Sequence, residues 1–185
     1  MTKTVKSLFL ILWIMIGSLV PMAASHAFGV ARIVADTKGA VSPTVARQIV
    51  HSVYSNAVLY DVNPQEVFKI IYIESRWNPK ARSKHNAKGL MQVIPYWHKD
   101  KIAGRDIYNI DTNIEVGVQI YKEYLGAANG NRTKALQLYS GSGRSLKYVK
   151  LVRSVDTYDG DAGGGDSYPY ISDVDGLIDH ANNSA

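Results

Sequence analysis

Apolar residues recur every three or four positions through the middle of the chain, which is the spacing of one buried face of a helix. The first such run covers residues 42–59, where Ser42 serves as the cap and Pro43 takes the first helical position. The second covers residues 63–76 and opens in the same way, with Asn63 as its cap. These stripes and caps predict two consecutive amphipathic helices.

The pattern becomes irregular after the second helix. Residues 80–104 are rich in glycine, proline and basic side chains, and connections of this length in compact domains are often functional. Helical spacing returns in three shorter runs, at 112–125, 133–139 and 145–153. We therefore expect one mainly helical domain over residues 42–155.

Both ends of the chain differ from this domain. Residues 1–27 carry two lysines, an apolar run of 14 residues and small residues ahead of Phe28, which is the pattern of a cleaved signal peptide. The run is shorter than the roughly 20 residues of a membrane span, although an uncleaved anchor is the alternative. We expect no stable membrane span after cleavage and a location in the periplasm or outside the cell. Residues 28–41 have a short mixed pattern that predicts an extended arm.

Charge divides the chain in two. Residues 28–155 hold 19 lysines and arginines against 9 acidic residues, whereas residues 156–185 hold seven aspartates and no lysine or arginine. The acidic segment lacks the apolar content to pack and is predicted to be a flexible tail rich in glycine and aspartate. The basic body suits a polyanionic partner, and nucleic acid, anionic membrane and cell-wall polymer all qualify. The absence of cysteine excludes disulfides and thiolate metal sites.

A carboxyl interrupts the apolar stripe of the second helix. Val67, Ile70 and Ile71 mark the buried face, and the next position on that face is Glu74. Burial disfavours the charged form of a carboxyl, so the pKa of Glu74 should be raised and the group could act as a general acid near neutral pH. The alternative is a structural glutamate that ties a neighbouring loop to the helix.

The residues that follow Glu74 resemble a known family. Residues 74–83, ESRWNPKARS, look like the signature of soluble lytic transglycosylases, and GLMQ at 89–92 follows at the family's spacing. The stretch ALQLYSG at 135–141 is similar to the family's closing tyrosine motif, and the resemblance extends over about 42–153. It implies a lysozyme-like fold of the mainly α (α+β) class, with a catalytic cleft and little or no β-structure.

The resemblance also implies a reaction on peptidoglycan with a single acid. Glu74 would protonate the oxygen between N-acetylmuramic acid and N-acetylglucosamine. It would then accept the proton of the muramic acid 6-hydroxyl, leaving a 1,6-anhydro end. Tyr139 would lie near Glu74 and orient it. Met91 and Gln92 would line one wall of the sugar site, and Ser83 would support this wall.

Some positions depart from the family pattern. Asn86 stands where glycine is frequent, and asparagine tolerates the left-handed conformation. Ser140 replaces the asparagine that usually follows the tyrosine, and Ser142 stands where a glycine is common. Trp97 adds an aromatic side chain to the predicted catalytic cleft.

No second catalytic group or cofactor is evident in the sequence. Asp100, Asp106 and Asp111 are candidate partner carboxylates for a two-carboxylate glycosidase, and nothing in their context selects one. His85 and His98 belong to no metal-binding pattern, so neither a metal nor an organic cofactor is predicted.

Three functions from different classes fit these observations. A lytic transglycosylase is favoured. The alternatives are a water-using lysozyme of the same fold and a non-catalytic module that binds the wall or nucleic acid through its basic surface. For the favoured function the expected partners are peptidoglycan strands and an envelope-spanning secretion, conjugation or pilus complex, and no nucleic acid.

Overall fold

The computed structural model describes residues 25–143 and 145–155, and within them the protein is built from seven helices. Their bounds are α1 at 25–36, α2 at Pro43–Leu59, α3 at Pro64–Ser75, α4 at Lys99–Ile102, α5 at Ile110–Ala127, α6 at Arg132–Tyr139 and α7 at Lys147–Ser154. β-structure in this part of the chain consists of two isolated bridges, which pair Lys88 with Arg82 and with Val93. The predicted mainly α fold class is confirmed.

The helix starts follow from their caps. The side chains of Ser42 and Asn63 each accept a hydrogen bond from a backbone N–H in the first turn of α2 and α3, as the sequence predicts. α5 and α6 begin one or two residues earlier than predicted. Their caps are Asn109 and Asn131.

The N-terminal arm is the part of the fold prediction that the structure overturns. Residues 25–36 are helical rather than extended, and Ile33 is fully buried. Val30, Ile33 and Val34 have helical spacing and pack on the core. A run this short does not separate helix from strand by its pattern alone, so contact with the rest of the domain decides its conformation.

The core lies between α5 and the helices around it. α5 packs against α2, α4 and α6, while α3 packs against α2 and α7. The largest fully buried side chains of this core include Trp77, Tyr121 and Phe68. α7 lies against both α3 and α6, so these three helices form one side of the domain.

The structure describes only part of the predicted export and tail segments. The predicted signal peptide falls outside the described residues except for 25–27, and the predicted acidic tail at 156–185 falls outside them entirely. Both stay predictions. Within the described ranges no helix is long and apolar enough to cross a membrane.

Candidate active site

Glu74 lies in the last turn of α3, on the same face as the fully buried Ile70 and Ile71. The residue as a whole is partly exposed, and its neighbours on this face of the helix are apolar. Burial raises the pKa of Glu74 to about 7, and a hydrogen bond from Tyr148 opposes this rise without cancelling it. The raised pKa agrees with the expectation from the apolar stripe.

The turn after Glu74 contains two residues in the left-handed conformation. α3 ends at Ser75, and Arg76 and Trp77 follow with φ values of 49° and 65°. Trp77 is fully buried, and its indole N–H donates a hydrogen bond of 3.2 Å to Oδ2 of Asp36 on α1. Left-handed backbone is unfavourable for side chains of this size, so burial and the bond to α1 stabilise the turn. α1 therefore fixes the chain directly after the candidate acid.

Tyr148, on α7, is the hydrogen-bond donor to Glu74. Its hydroxyl oxygen lies 2.6 Å from Oε1 of the glutamate. Burial and the charge of Glu74 raise the pKa of Tyr148 well above its usual value, so the hydroxyl keeps its proton. Tyr148 is absent from the site residues predicted above. The available signal was a tyrosine on the buried face of an amphipathic helix, because a buried hydroxyl needs a polar partner.

Tyr139, at the end of α6, lies near Glu74 but bonds elsewhere. Its hydroxyl donates a hydrogen bond of 2.8 Å to the backbone oxygen of Met91. Its pKa is raised well above the usual value, first by burial and then by the charge of Glu74. The family resemblance implies that Tyr139 orients Glu74, whereas the hydrogen bond to this carboxyl comes from Tyr148. Tyr139 instead ties α6 to the long loop before α4.

The sequence predicts that Met91 lines the sugar site, and the structure corrects this. Met91 is fully buried. Its side chain packs against Gly117 of α5, where an added Cβ would lie 2.5 Å from the methionine sulfur. A buried side chain does not contact a sugar, so Met91 supports the wall of the site from behind.

Asn113 is a buried polar residue that holds this wall together. Its Oδ1 accepts a hydrogen bond of 2.7 Å from the backbone N–H of Met91. Its Nδ2 donates bonds of 2.9 Å to the backbone oxygens of Lys88 and Ile107. The space is tight, because a Cβ added at Gly89 would overlap the Asn113 amide. Asn113 is thus a positioning residue, and the sequence analysis did not predict this role.

Gln92 and Ser83 are partly exposed and stay candidates for sugar contact. Gln92 has a left-handed φ of 47°, and its amide donates a hydrogen bond of 3.0 Å to the backbone oxygen of Gly89. The Ser83 hydroxyl accepts a bond of 3.1 Å from the N–H of Ala87, which closes the turn that contains Asn86. Asn86 has a φ of 65°, the conformation expected where the family has glycine.

Ser140 and Ser142 form a pair of hydroxyls after α6. Their oxygens lie 2.7 Å apart, and the Ser140 hydroxyl donates a hydrogen bond of 2.9 Å to the backbone oxygen of Gln137. Ser142 is then the donor within the pair. The turn that follows Tyr139 is closed by its own side chains.

The three candidate partner carboxylates have interaction partners other than Glu74. Asp106 accepts a hydrogen bond from a nearby backbone N–H, and Asp111 accepts one from a side-chain amide of α2. Asp100 is exposed beside Lys101. Among the described residues, no three histidine, aspartate or glutamate side chains converge as a metal ion would require.

Comparison with known proteins identifies relatives of this domain. The family described as the transglycosylase SLT domain matches residues 52–159. Membrane-bound lytic murein transglycosylase C of Actinobacillus pleuropneumoniae is 32% identical over 133 residues, which cover 62% of this chain and 35% of that protein. The protein of the same name from Haemophilus ducreyi is 41% identical over 132 residues, which cover 59% and 35%. The chain spans about a third of the length of these curated relatives.

One solved structure is similar to part of this chain. It is an inactive mutant of the lytic transglycosylase Slt from Pseudomonas aeruginosa, with a TM-score of 0.49 and 19% sequence identity. The similar region covers 65% of this chain and 23% of that one.

Proposed function

The chain belongs to the transglycosylase SLT domain family, and on this premise we propose that it is a lytic transglycosylase that cleaves the glycan strands of peptidoglycan, with Glu74 as its catalytic acid. The observation that carries the proposal is a partly exposed glutamate with a pKa of about 7, bonded to a tyrosine. Near neutral pH both forms of such a carboxyl are well populated, so one group can give a proton and take one back.

The reaction proceeds in two steps. Glu74 first transfers its proton to the oxygen that links N-acetylmuramic acid to N-acetylglucosamine. The bond from that oxygen to the anomeric carbon breaks, and the carbonyl oxygen of the neighbouring acetamido group bonds to that carbon. The ionised Glu74 then accepts the proton of the 6-hydroxyl of the same N-acetylmuramic acid. The oxygen of this hydroxyl bonds to the anomeric carbon and displaces the acetamido oxygen from it. The product is a 1,6-anhydro sugar, Glu74 is protonated again, and no water is consumed.

Tyr148 supports both steps. Its hydrogen bond to Oε1 stabilises the carboxylate that exists between the two proton transfers. The same bond fixes the orientation of the carboxyl, so that Oε2 is the oxygen that exchanges protons with the substrate. A two-carboxylate glycosidase also needs a base or nucleophile roughly 5 to 9.5 Å from its acid, whereas this mechanism uses one carboxyl.

The enzyme acts in the cell envelope after export, where it opens the wall for an envelope-spanning secretion, conjugation or pilus complex. Support for export is the signal-peptide pattern of residues 1–27 and the similarity to proteins named membrane-bound murein transglycosylases. The complex is part of the proposal because an assembly that crosses the envelope needs the wall to be opened where it passes. Co-purification of the chain with such a complex from isolated envelopes tests this part.

Digestion of purified peptidoglycan, followed by mass spectrometry of the released fragments, tests the reaction. The wild type should release anhydro fragments, each lighter by one water than a hydrolytic product. Glu74→Gln should abolish release, and Glu66→Gln, the same change on the same helix, should retain it. Hydrated products would replace the proposal with hydrolysis of the lysozyme type. Undiminished release by Glu74→Gln would exclude Glu74 as the acid.

A further inference from the structure

A groove of about 430 Å³ lies at the other end of the helices that carry the candidate active site. It is lined by Asn63, by residues from the first two turns of α3 and α6, and by residues from the last turn of α7. Glu66, in its lining, precedes Glu74 by eight residues on α3, a distance of about 12 Å along the helix axis. The groove is therefore separate from the catalytic carboxyl, and the proposed function leaves it unused.

The groove is cationic. Its lining carries one basic side chain from each of the three helices, namely Lys69, Arg132 and Arg153. Glu66 is partly neutralised, because Nε of Arg132 lies 3.1 and 3.2 Å from its two carboxylate oxygens. The N-terminal ends of α3 and α6 add partial positive charge.

The lining also has an apolar part, formed by Leu136 and Val152. A ligand that fits this combination presents carboxylates to the cations and apolar side chains to Leu136 and Val152. An acidic peptide segment with interspersed tyrosine and aliphatic residues has this chemistry. Residues 156–185 have this composition, with seven aspartates and no lysine or arginine.

We propose that the groove binds the chain's own acidic segment, residues 156–185. The segment starts two residues after α7 ends, and Arg153 in the last turn of α7 lines the groove. Its first three aspartates, up to Asp161, lie within eight residues of Arg153, and an extended chain of that length reaches about 28 Å. Because the segment is tethered beside its site, its effective concentration is high and a few surface ion pairs suffice for binding.

Zero-length cross-linking of the full chain with a carbodiimide tests the proposal, because it joins a lysine amine to an aspartate carboxyl in contact with it. Lys69 lies in the groove, and Lys150 is the matched control. Lys150 is exposed on α7 and is nearer to the segment along the chain, but it is outside the groove lining. Mass spectrometry should find more links from the segment to Lys69 than to Lys150. The excess should vanish at an ionic strength of about 0.5 M, where surface charges are screened.

Variants distinguish binding of the segment in the groove from links that arise only because the segment is tethered nearby. Arg153→Glu should lower the yield of links at Lys69 about five-fold, whereas Lys150→Glu, the same charge change outside the groove, should leave it unchanged. Replacing the first three aspartates of the segment by asparagine should give the same loss without altering any groove residue. This second variant covers the case in which Arg153→Glu disturbs the folding of α7.

Two results would overturn the proposal. One is a yield at Lys69 no higher than at Lys150, which would mean that the tether alone determines the links. The other is found by mixing isotopically light and heavy chains. Links between light and heavy chains as frequent as links within one isotope would place the segment on a second copy. The outcome does not depend on catalysis, so failure here leaves the proposed function intact.

Discussion

The hydroxyl of Tyr148 donates a hydrogen bond of 2.6 Å to Oε1 of Glu74 and so joins two helices whose bonded residues are 74 positions apart. The bond favours the ionised carboxyl, and burial favours the neutral one. Burial is the stronger of the two, and the pKa of Glu74 comes to about 7. α7 is therefore as much a part of the candidate active site as α3.

Replacing Tyr148 by phenylalanine should raise the pKa of Glu74 further and reduce activity. A hydrogen bond to a charged group contributes about 1.5 to 3 kcal/mol, which corresponds to a pKa rise of about one to two units. In a pH–rate profile, the limb governed by loss of the Glu74 proton should move to higher pH by that amount. Tyr124→Phe is the matched control, since the ring of Tyr124 packs edge-on against the ring of Tyr139, the other tyrosine near Glu74. An equal shift in both variants would contradict the assigned role.

Glu74 should make the folded protein less stable as the pH rises from acid to neutral. Its folded pKa of about 7 lies above the unfolded value of 4.5, so the folded state binds more protons between these values. The resulting loss of folding stability is absent below about pH 4 and complete above about pH 8, where it is at most about 3 kcal/mol. Urea unfolding should show Glu74→Gln gaining stability relative to the wild type across this range. A difference that is independent of pH would mean that the pKa is not raised.

Gly117→Ala should disturb the wall behind the site. The new Cβ would lie 2.5 Å from the sulfur of Met91, so Met91 must shift together with the carbonyl that accepts the Tyr139 hydrogen bond. Overpacking of this kind costs about 1 to 3 kcal/mol in the free energy of unfolding, and activity should fall with it. Gly126→Ala on the same helix meets nothing within 4 Å and should be neutral or slightly stabilising. Thermal unfolding of the two variants checks this contrast.

Asn113→Ala should lower the free energy of unfolding by more than the small size of the removed side chain suggests. It leaves the N–H of Met91 and the backbone oxygen of Ile107 without their partner, whereas the backbone oxygen of Lys88 keeps its bond from the N–H of Val93. Each buried group left unsatisfied costs about 1 to 3 kcal/mol, so a loss of about 3 kcal/mol or more is expected in urea unfolding. Asn56→Ala is the control, because the Asn56 amide bonds only within α2 and its loss should cost less than about 1 kcal/mol. Similar losses in both would argue against Asn113 as the residue that holds the wall.

The helical frame and the candidate acid could be predicted because they rest on local signals. Ser42-Pro43 and Asn63-Pro64 fix the starts of α2 and α3 through caps that each segment carries itself. Glu74 is visible because it breaks an apolar stripe within a single helix. Neither signal depends on a distant part of the chain.

The features that the sequence did not reveal depend on contacts between distant segments. Tyr148 reaches the acid from another helix, and the burial of Met91 depends on a glycine of α5. The conformation of residues 25–36 is decided by packing of Ile33 and by the bond from Trp77. Single-segment patterns carry no information about such pairs.

The hydrogen bond between Asp36 and Trp77 has a consequence for where this domain can be truncated. The family match begins at residue 52, inside α2, whereas Ile33 and Asp36 lie well before it. A graft limited to residues 52–159 would keep Glu74 but lose the helix that braces the turn after it. The portable unit of this domain is the shortest piece that could be moved into another protein with Glu74 still in place. It is therefore longer on its N-terminal side than the sequence that marks its family.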